Sequence, residues 1–233
     1  MKHSVHNTSF VSAQHKPRVH KNKKHPCLLI TAGPTQEPLD PVRFISNYST
    51  GTFGYLLARQ GQKLGYKVTL ISGPTALLSP SGVKIIQVKT ASQMYEATRR
   101  NFSRSDILIM AAAVCDFHPA KFSRQKIKKK GPLGLKLIPT RDILREMGKI
   151  KGKRTLVGFA LESESLVKNA LRKLKDKNLD LIIVNKISSD KDPFGRKTLA
   201  PILISRDGRI EKIPFSSKSC LARIILKKIE LIS

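Results

Sequence analysis

Between residues 43 and 54 the chain reads Arg43-Phe44-Ile45-Ser46-Asn47-Tyr48-Ser49-Thr50-Gly51-Thr52-Phe53-Gly54. This run follows a short apolar stretch, Leu28 to Thr31, and a turn-rich segment from Gly33-Pro34-Thr35 to Asp40-Pro41, and it leads into a helical pattern through Leu64. A strand, a small-residue loop and a helix in that order present backbone N–H groups at a helix start. Unsatisfied donors and the positive end of the helix dipole suit an anion such as phosphate there. Ser49 or Thr50 is expected to cap the helix, and Gly51 and Gly54 to let a ligand or a neighbouring strand approach closely. A capped helix with two packing glycines accounts for the same residues, so this loop alone does not define a ligand. A second concentration of chemistry lies in Phe117 to Gly134, which carries Lys121, Arg124, Lys126, Lys128, Lys129 and Lys130. It has too little apolar content to be held by a core. A mobile basic loop over a ligand is expected.

The elements that must position these residues alternate. Cys27 to Ala32 reads as a buried first strand, bounded by Pro26 and Gly33-Pro34. Phe53, Leu56, Leu57, Gln60 and Leu64 recur at helical spacing. Val68 to Ser72 and Val83 to Val88 read as strands, and a helix follows Thr90 to about Arg100. Asp106 to Val114 is very apolar, as a central strand would be. Beyond the basic loop, Leu135 to Ile138 reads as a short strand, Thr140 to Lys149 as a helix capped by Thr140, and Thr155 to Ala160 as a strand. Glu162 to Lys177 is a helix with Leu166, Ala170, Leu171 and Leu174 on its apolar face, and Leu179 to Asn185 a strand. Ile202 to Ser205 and Arg209 to Ile213 flank Asp207-Gly208, a hairpin signal, and Ser217 to Leu231 closes with a helix. Such alternation implies parallel strands joined by right-handed crossovers. The expected fold is α/β: a Rossmann-like, layered, mostly parallel sheet flanked by helices, with a flexible basic loop and a C-terminal hairpin plus helix. Ligands of such sheets bind beyond the carboxyl ends of the strands. The Arg43–Gly54 loop and Ala111-Ala112-Ala113-Val114-Cys115-Asp116 should therefore face one cavity.

Composition narrows the function. The formal charge is +28 over 233 residues, with 44 Lys and Arg against 16 Asp and Glu. Such an excess favours anionic partners, whether nucleotide, phosphorylated metabolite or nucleic acid, although lysines on solvated faces account for most of it. Residues 1–25 hold five of the six histidines and no acidic residue. They read as a disordered basic tail ahead of one domain over 26–233. No apolar run is long enough to span a bilayer and no secretory signal is present, so a cytoplasmic setting is expected. Cys27, Cys115 and Cys220 are too scattered for a disulfide framework or a zinc site. There is no GxxxxGK[ST], HExxH or GxSxG sequence, and GxGxxG is absent after the first strand. What remains is a set of phosphate-neutralising groups. An enzyme that activates a carboxylate with a nucleoside triphosphate needs such cations around Mg²⁺.

The ordered motifs Ile30-Thr31-Ala32-Gly33-Pro34-Thr35, Asp40-Pro41-Val42-Arg43-Phe44-Ile45-Ser46-Asn47, Ser72-Gly73-Pro74, Ala111 to Asp116, Lys126-Ile127-Lys128-Lys129, Gly158-Phe159-Ala160 and Lys177-Asn178-Leu179-Asp180 are similar to a known family. The chain resembles the bacterial phosphopantothenoylcysteine synthetase (phosphopantothenate–cysteine ligase) domain of coenzyme A biosynthesis, from about Cys27 to the C-terminal helix. The decarboxylase domain often fused to it is not part of the match. The resemblance implies a ligase that joins 4′-phosphopantothenate to cysteine using CTP and Mg²⁺ through an acyl-cytidylate. It further implies a homodimer, with a separate phosphopantothenoylcysteine decarboxylase as a possible partner. A basic nucleic-acid binder and a nucleotide-dependent reductase are the alternatives.

Carried over residue by residue, the resemblance makes Asn47 and Lys126 catalytic. It gives Met110, Ala111, Ala112, Asp116, Lys126, Ile138, Pro139, Thr140, Arg141, Phe159, Lys173 and Lys177 to the nucleotide, and Arg43, Asn47 and Gly51 to the substrate. Lys173 and Lys177 are the matched triphosphate lysines, and their spacing of four puts them on one helix face. The metal ligands are unassigned. The sequence departs from the family pattern at Thr52-Phe53, at Arg141, at Leu161-Glu162-Ser163, at Lys186 and over Phe194 to Leu199.

Overall fold

A computed structural model describes residues 25–186 and 198–232. The expected tail, except His25, and the stretch Phe194 to Lys197 lie outside the described residues.

The first strand, β1 (Cys27–Ala32), is buried from Leu28 onward. The prolines that keep the next segment out of helix leave room for a short antiparallel hairpin, β2 (Gln36–Pro38) with β3 (Phe44–Ser46). Helix α1 (Thr52–Lys63), strands β4 (Lys67–Ser72) and β5 (Lys84–Gln87), helix α2 (Ala91–Phe102) and strand β6 (Ile107–Met110) follow. A second antiparallel hairpin pairs β7 (Phe117–Pro119) with β8 (Leu137–Pro139). Then come α3 (Ile143–Lys149), β9 (Thr155–Glu162), α4 (Leu166–Asp176) and β10 (Leu181–Lys186). The chain closes with β11 (Thr198–Leu199), β12 (Ile202–Ser205), β13 (Ile210–Lys212), β14 (Ser216–Ser217) and α5 (Lys218–Ile232).

Among the described residues the main sheet has eight strands in the order β13-β12-β10-β9-β6-β1-β4-β5. From β10 to β5 every neighbouring pair is parallel; β12 and β13 are antiparallel additions. The period of two in β1 divides the core. Leu28 and Ile30 point to α1 and α5, with Leu57, Ala58, Leu221 and Ile225. Leu29 points to α2, α3 and α4, with Met94, Met147 and Ala170. The expected layered α/β fold is thus observed, and its C-terminal hairpin turns at Gly208, whose φ of 84° is in the left-handed region.

Four local expectations are corrected. The fourth strand ends at Met110 rather than Val114, because the following main chain bonds to the loop after β1: Ala113 N–H donates to the Gly33 carbonyl at 2.9 Å and Cys115 N–H to Thr35 Oγ1 at 2.9 Å. Helix α1 is headed by Gly51 in the left-handed conformation, with no side-chain cap. Asp142, not Thr140, caps α3 by accepting from Arg145 N–H at 3.0 Å, while the Thr140 hydroxyl donates to the Cys115 carbonyl at 2.6 Å. Glu162 is the last residue of β9, and α4 begins only after Ser165 at φ 47°.

Candidate nucleotide site at the carboxyl end of the sheet

Strand order reverses between β1 and β6: the chain goes from β1 outward to β4 and β5, then crosses back to β6. Ligands of open α/β sheets bind in the crevice at such a point. A cavity of about 580 Å³ opens there. The Asn47–Gly54 loop and the Met110–Val114 segment both line it, as expected from the sequence.

The glycine wall is built by close packing. A Cβ on Gly54 would lie 2.4 Å from the Ala32 Cβ, so only glycine lets the start of α1 sit directly on the end of β1. Gly51 has φ 73°, and a Cβ there would come within 2.7 Å of Thr75 Cγ2. Gly51 at the head of α1 offers no side-chain cap; Thr52 N–H makes a long 3.4 Å bond to Thr50 Oγ1, and the next N–H groups of the first turn lie at the cavity end of the helix. Asn47 ties this wall to the next: its Nδ2 donates to the Val114 carbonyl at 2.9 Å. Phe53 meets Phe159 edge to face, with centroids 5.5 Å apart, so a half-buried aromatic pair lies between the helix start and β9.

Opposite, two cations approach from α4. Lys173 Nζ lies 2.6 Å from Glu162 Oε1, and Lys177 Nζ lies 2.9 Å from Asp142 Oδ2. Both lysines line the cavity. Burial pushes the Glu162 carboxyl up, but Lys173 and Asn169 more than offset that and hold it below the usual carboxylate range. Asp142 is likewise pushed up by burial and held down by Lys177 and the Arg145 N–H. Each lysine therefore sits on a charged carboxylate that an incoming phosphate can replace, since both are acceptors of the same donors.

Of the residues singled out from the sequence, the cavity gathers Asn47, Gly51, Met110, Ala111, Ala112, Asp116, Thr140, Arg141, Phe159, Lys173 and Lys177. Arg141 lies over the Tyr95 ring at 4.3 Å, a stacked position at the rim. Four residues are not in the lining. Ile138 and Pro139 belong to β8, opposite His118 and Phe117. Arg43 pairs with Asp40 at 2.5 Å. Lys126 lies in the basic loop, whose neighbouring Ile127 is bonded to Asp40 and Arg43. The basic loop is thus tied at Ile127 to the turn between β2 and β3. Sequence reasoning missed Asp142 and Lys218 in the lining. Asp142 stood beside the quoted residues but reads as an ordinary cap-region acid, and Lys218 is one lysine among many. The buried Cys115 thiol is pushed up by desolvation and donates to the Thr35 carbonyl at 3.4 Å, so it is a packing residue. Among the described residues no group of three or more His, Cys, Asp or Glu gathers to hold a metal, and no helix is long and apolar enough to cross a membrane.

Comparison with known proteins bears on the family and the fold. The chain is 44% identical over 205 residues to a cysteine/cysteine sulfinic acid decarboxylase from an unknown prokaryotic organism, covering 87% of this chain and 57% of that protein. It is 42% identical over 208 residues to the coenzyme A biosynthesis bifunctional protein CoaBC of Bacillus subtilis (strain 168), covering 88% and 51% respectively. The chain thus spans about half the length of the curated relatives it matches. A solved structure of the C-terminal domain of a coenzyme A biosynthesis bifunctional protein CoaBC superposes with a TM-score of 0.76 at 36% identity, covering 88% of this chain and 94% of that one. The family model described as the DNA/pantothenate metabolism flavoprotein C-terminal domain matches residues 23–232, and the chain belongs to that family.

Proposed function

We propose that this chain joins 4′-phosphopantothenate to cysteine, with CTP as the activating nucleotide. A carboxylate oxygen of phosphopantothenate attacks the α-phosphorus of CTP, forming an acyl-cytidylate and expelling pyrophosphate. The amine of cysteine then attacks the acyl carbon, loses a proton and expels CMP. The observation that carries this reading is the cavity at the strand-order reversal, with a glycine-headed helix start on one wall and two carboxylate-held lysines on the other. The first wall suits an anion held by main-chain donors, the second a triphosphate whose departing pyrophosphate gathers charge.

Magnesium fits this site only in a shared form. It commonly binds through one or two carboxylates plus substrate phosphates, so a three-acid cage is not required. Asp116, exposed in the cavity lining, is the residue that would hold it together with the nucleotide. Bound there, it would neutralise phosphate charge. A homodimer also belongs to this reading. The hairpins β2–β3 and β7–β8 pack together and leave Phe44, Phe117 and Leu137 exposed, an apolar surface that a second copy would cover.

The deciding experiment measures pyrophosphate release with phosphopantothenate, with and without cysteine, for CTP and for ATP. The expected result is CTP-preferring release that needs phosphopantothenate, with amide product only when cysteine is present. Folded protein that yields neither pyrophosphate nor product with either nucleotide would overturn the proposal.

A further inference from the structure

We infer that Asp40 and Arg43 are positioning residues that clamp Ile127 and so fix the loop bearing Lys126; the role of Lys126 itself rests on the ligase reading above.

The Asp40 carboxylate is buried, and its two oxygens have separate tasks. Oδ1 accepts from Val42 N–H and Arg43 N–H, both at 2.8 Å, and closes the turn between β2 and β3. Oδ2 accepts from Arg43 Nε at 3.0 Å and Nη2 at 2.5 Å, and also from Ile127 N–H at 3.1 Å. Arg43 Nη2 donates in turn to the Ile127 carbonyl at 2.7 Å. Both main-chain polar groups of Ile127 are thus gripped by the two members of one ion pair. A neighbouring bond, Ser123 N–H to the Leu39 carbonyl at 3.0 Å, runs between the same two segments.

This arrangement is more than a way of satisfying an exposed loop, because water would do that at no cost to a buried charge. Burying a carboxylate is unfavourable unless donors saturate it, and here five do. The Arg43 side chain, with the main-chain donors, holds the Asp40 carboxyl well below its usual range despite burial. The loop around Ile127 carries six cations between Lys121 and Lys130, which repel one another. The Asp40–Arg43 pair, neutral as a unit, supplies a fixed point at the middle of that run, immediately next to Lys126. Arg43, matched by resemblance to a substrate contact, also holds the loop in this geometry.

Asp40→Asn isolates the clamp. The amide keeps an oxygen for the turn but puts an NH₂ where Oδ2 faced Ile127 N–H and the guanidinium, setting donor against donor. Trypsin cleavage between Lys121 and Lys130 should quicken by at least about tenfold, the equivalent of one charge-assisted hydrogen bond. Turnover should fall by a similar factor with the nucleotide KM little changed. In a Lys126→Ala background Asp40→Asn should cost no further turnover, since both act through the same side chain. Arg43→Gln removes the donor to the Ile127 carbonyl while leaving the Asp40 turn, and should accelerate the same cleavage. Unaltered cleavage in both variants, or losses for Asp40→Asn and Lys126→Ala that multiply in the double variant, would overturn the clamp. Wild-type protein without ligase activity would instead overturn the ligase reading, and cleavage alone would then decide the clamp.

Discussion

Both ends of the sheet hold lysine–carboxylate pairs, but to opposite effect. At the amino ends of the strands, Lys151 Nζ lies 2.5 Å from Asp180 Oδ2, and the two side chains are 2% and 6% exposed. The pair is enclosed by further bonds: Lys151 donates to the Asn178 carbonyl, Leu156 N–H donates to Asp180, and Arg206 approaches the other carboxylate oxygen. Asp106 similarly accepts from Cys27 N–H at 2.9 Å, stitching β6 to β1. At the carboxyl ends, Lys173 is 38% exposed on Glu162 and Lys177 24% exposed on Asp142. A pair walled in by main-chain groups has nothing to exchange with, and losing one member strands a buried charge. A pair that opens on a cavity can trade its carboxylate for a ligand phosphate. The same two residue types therefore make a rivet at one end and a docking point at the other, and burial decides which.

The largest effect should come from breaking the rivet. Lys151→Ala removes the nearer cation from the buried Asp180, leaving the longer Arg206 contact at 3.4 Å, and should destabilise the fold by about 3–5 kcal/mol, read from the midpoint of denaturant unfolding. A loss under about 1 kcal/mol would show that the two ends do not differ. Next, Lys173→Ala and Lys177→Ala should each weaken CTP binding by at least about tenfold, from the loss of a charge-assisted contact of roughly 1.5–3 kcal/mol. Their unfolding midpoints should move by no more than about 0.5 kcal/mol equivalent, because the pairs are partly solvated. Calorimetric titration showing unchanged CTP affinity in both would return these lysines to solvent.

Gly54→Ala probes the packing behind the cavity. The methyl group would meet Ala32, so α1 must shift off β1 at a cost of about 1–3 kcal/mol, again visible in denaturant unfolding. A neutral result would mean that α1 yields freely. The smallest effect is electrostatic. Asp142 has its folded pKa depressed, so its stabilisation is present above the unfolded value near 3.9 and is lost as pH falls through the lower folded value. Asn at this position keeps the helix cap and loses only the charge. Stability curves for wild type and Asp142→Asn should differ near neutrality and converge below about pH 4. Curves that stay parallel throughout would remove the charge from the account.

Most of the scaffold was legible in the sequence because its signals are local. The apolar run from Cys27, the helical spacing from Phe53 to Leu64 and the Asp207-Gly208 turn each form the expected element. The errors fall where distant main chain competes with local preference. Val114 and Cys115 have strand-like neighbours, yet Asn47 ahead of α1 and Thr35 after β1 take their hydrogen bonds. Thr140 has the chemistry of a cap, yet its hydroxyl is taken by Cys115. Strands β2, β3 and β7 left no alternation to read, since three residues show hardly one period.

The sequence by itself determined the alternation of strand and helix, the anion-suited loop after β1 and the positive charge. Each depends on spacing within a few residues or on composition. Only the tertiary structure decided which cations meet which acids. Lys177 reaches Asp142 across 35 positions of sequence, Lys173 reaches Glu162 across a strand end and a left-handed turn, and Asp40 reaches Ile127 across 87. Charge type is written in each residue, but burial and partner are properties of the packed sheet. Those two quantities separate the rivet from the docking point.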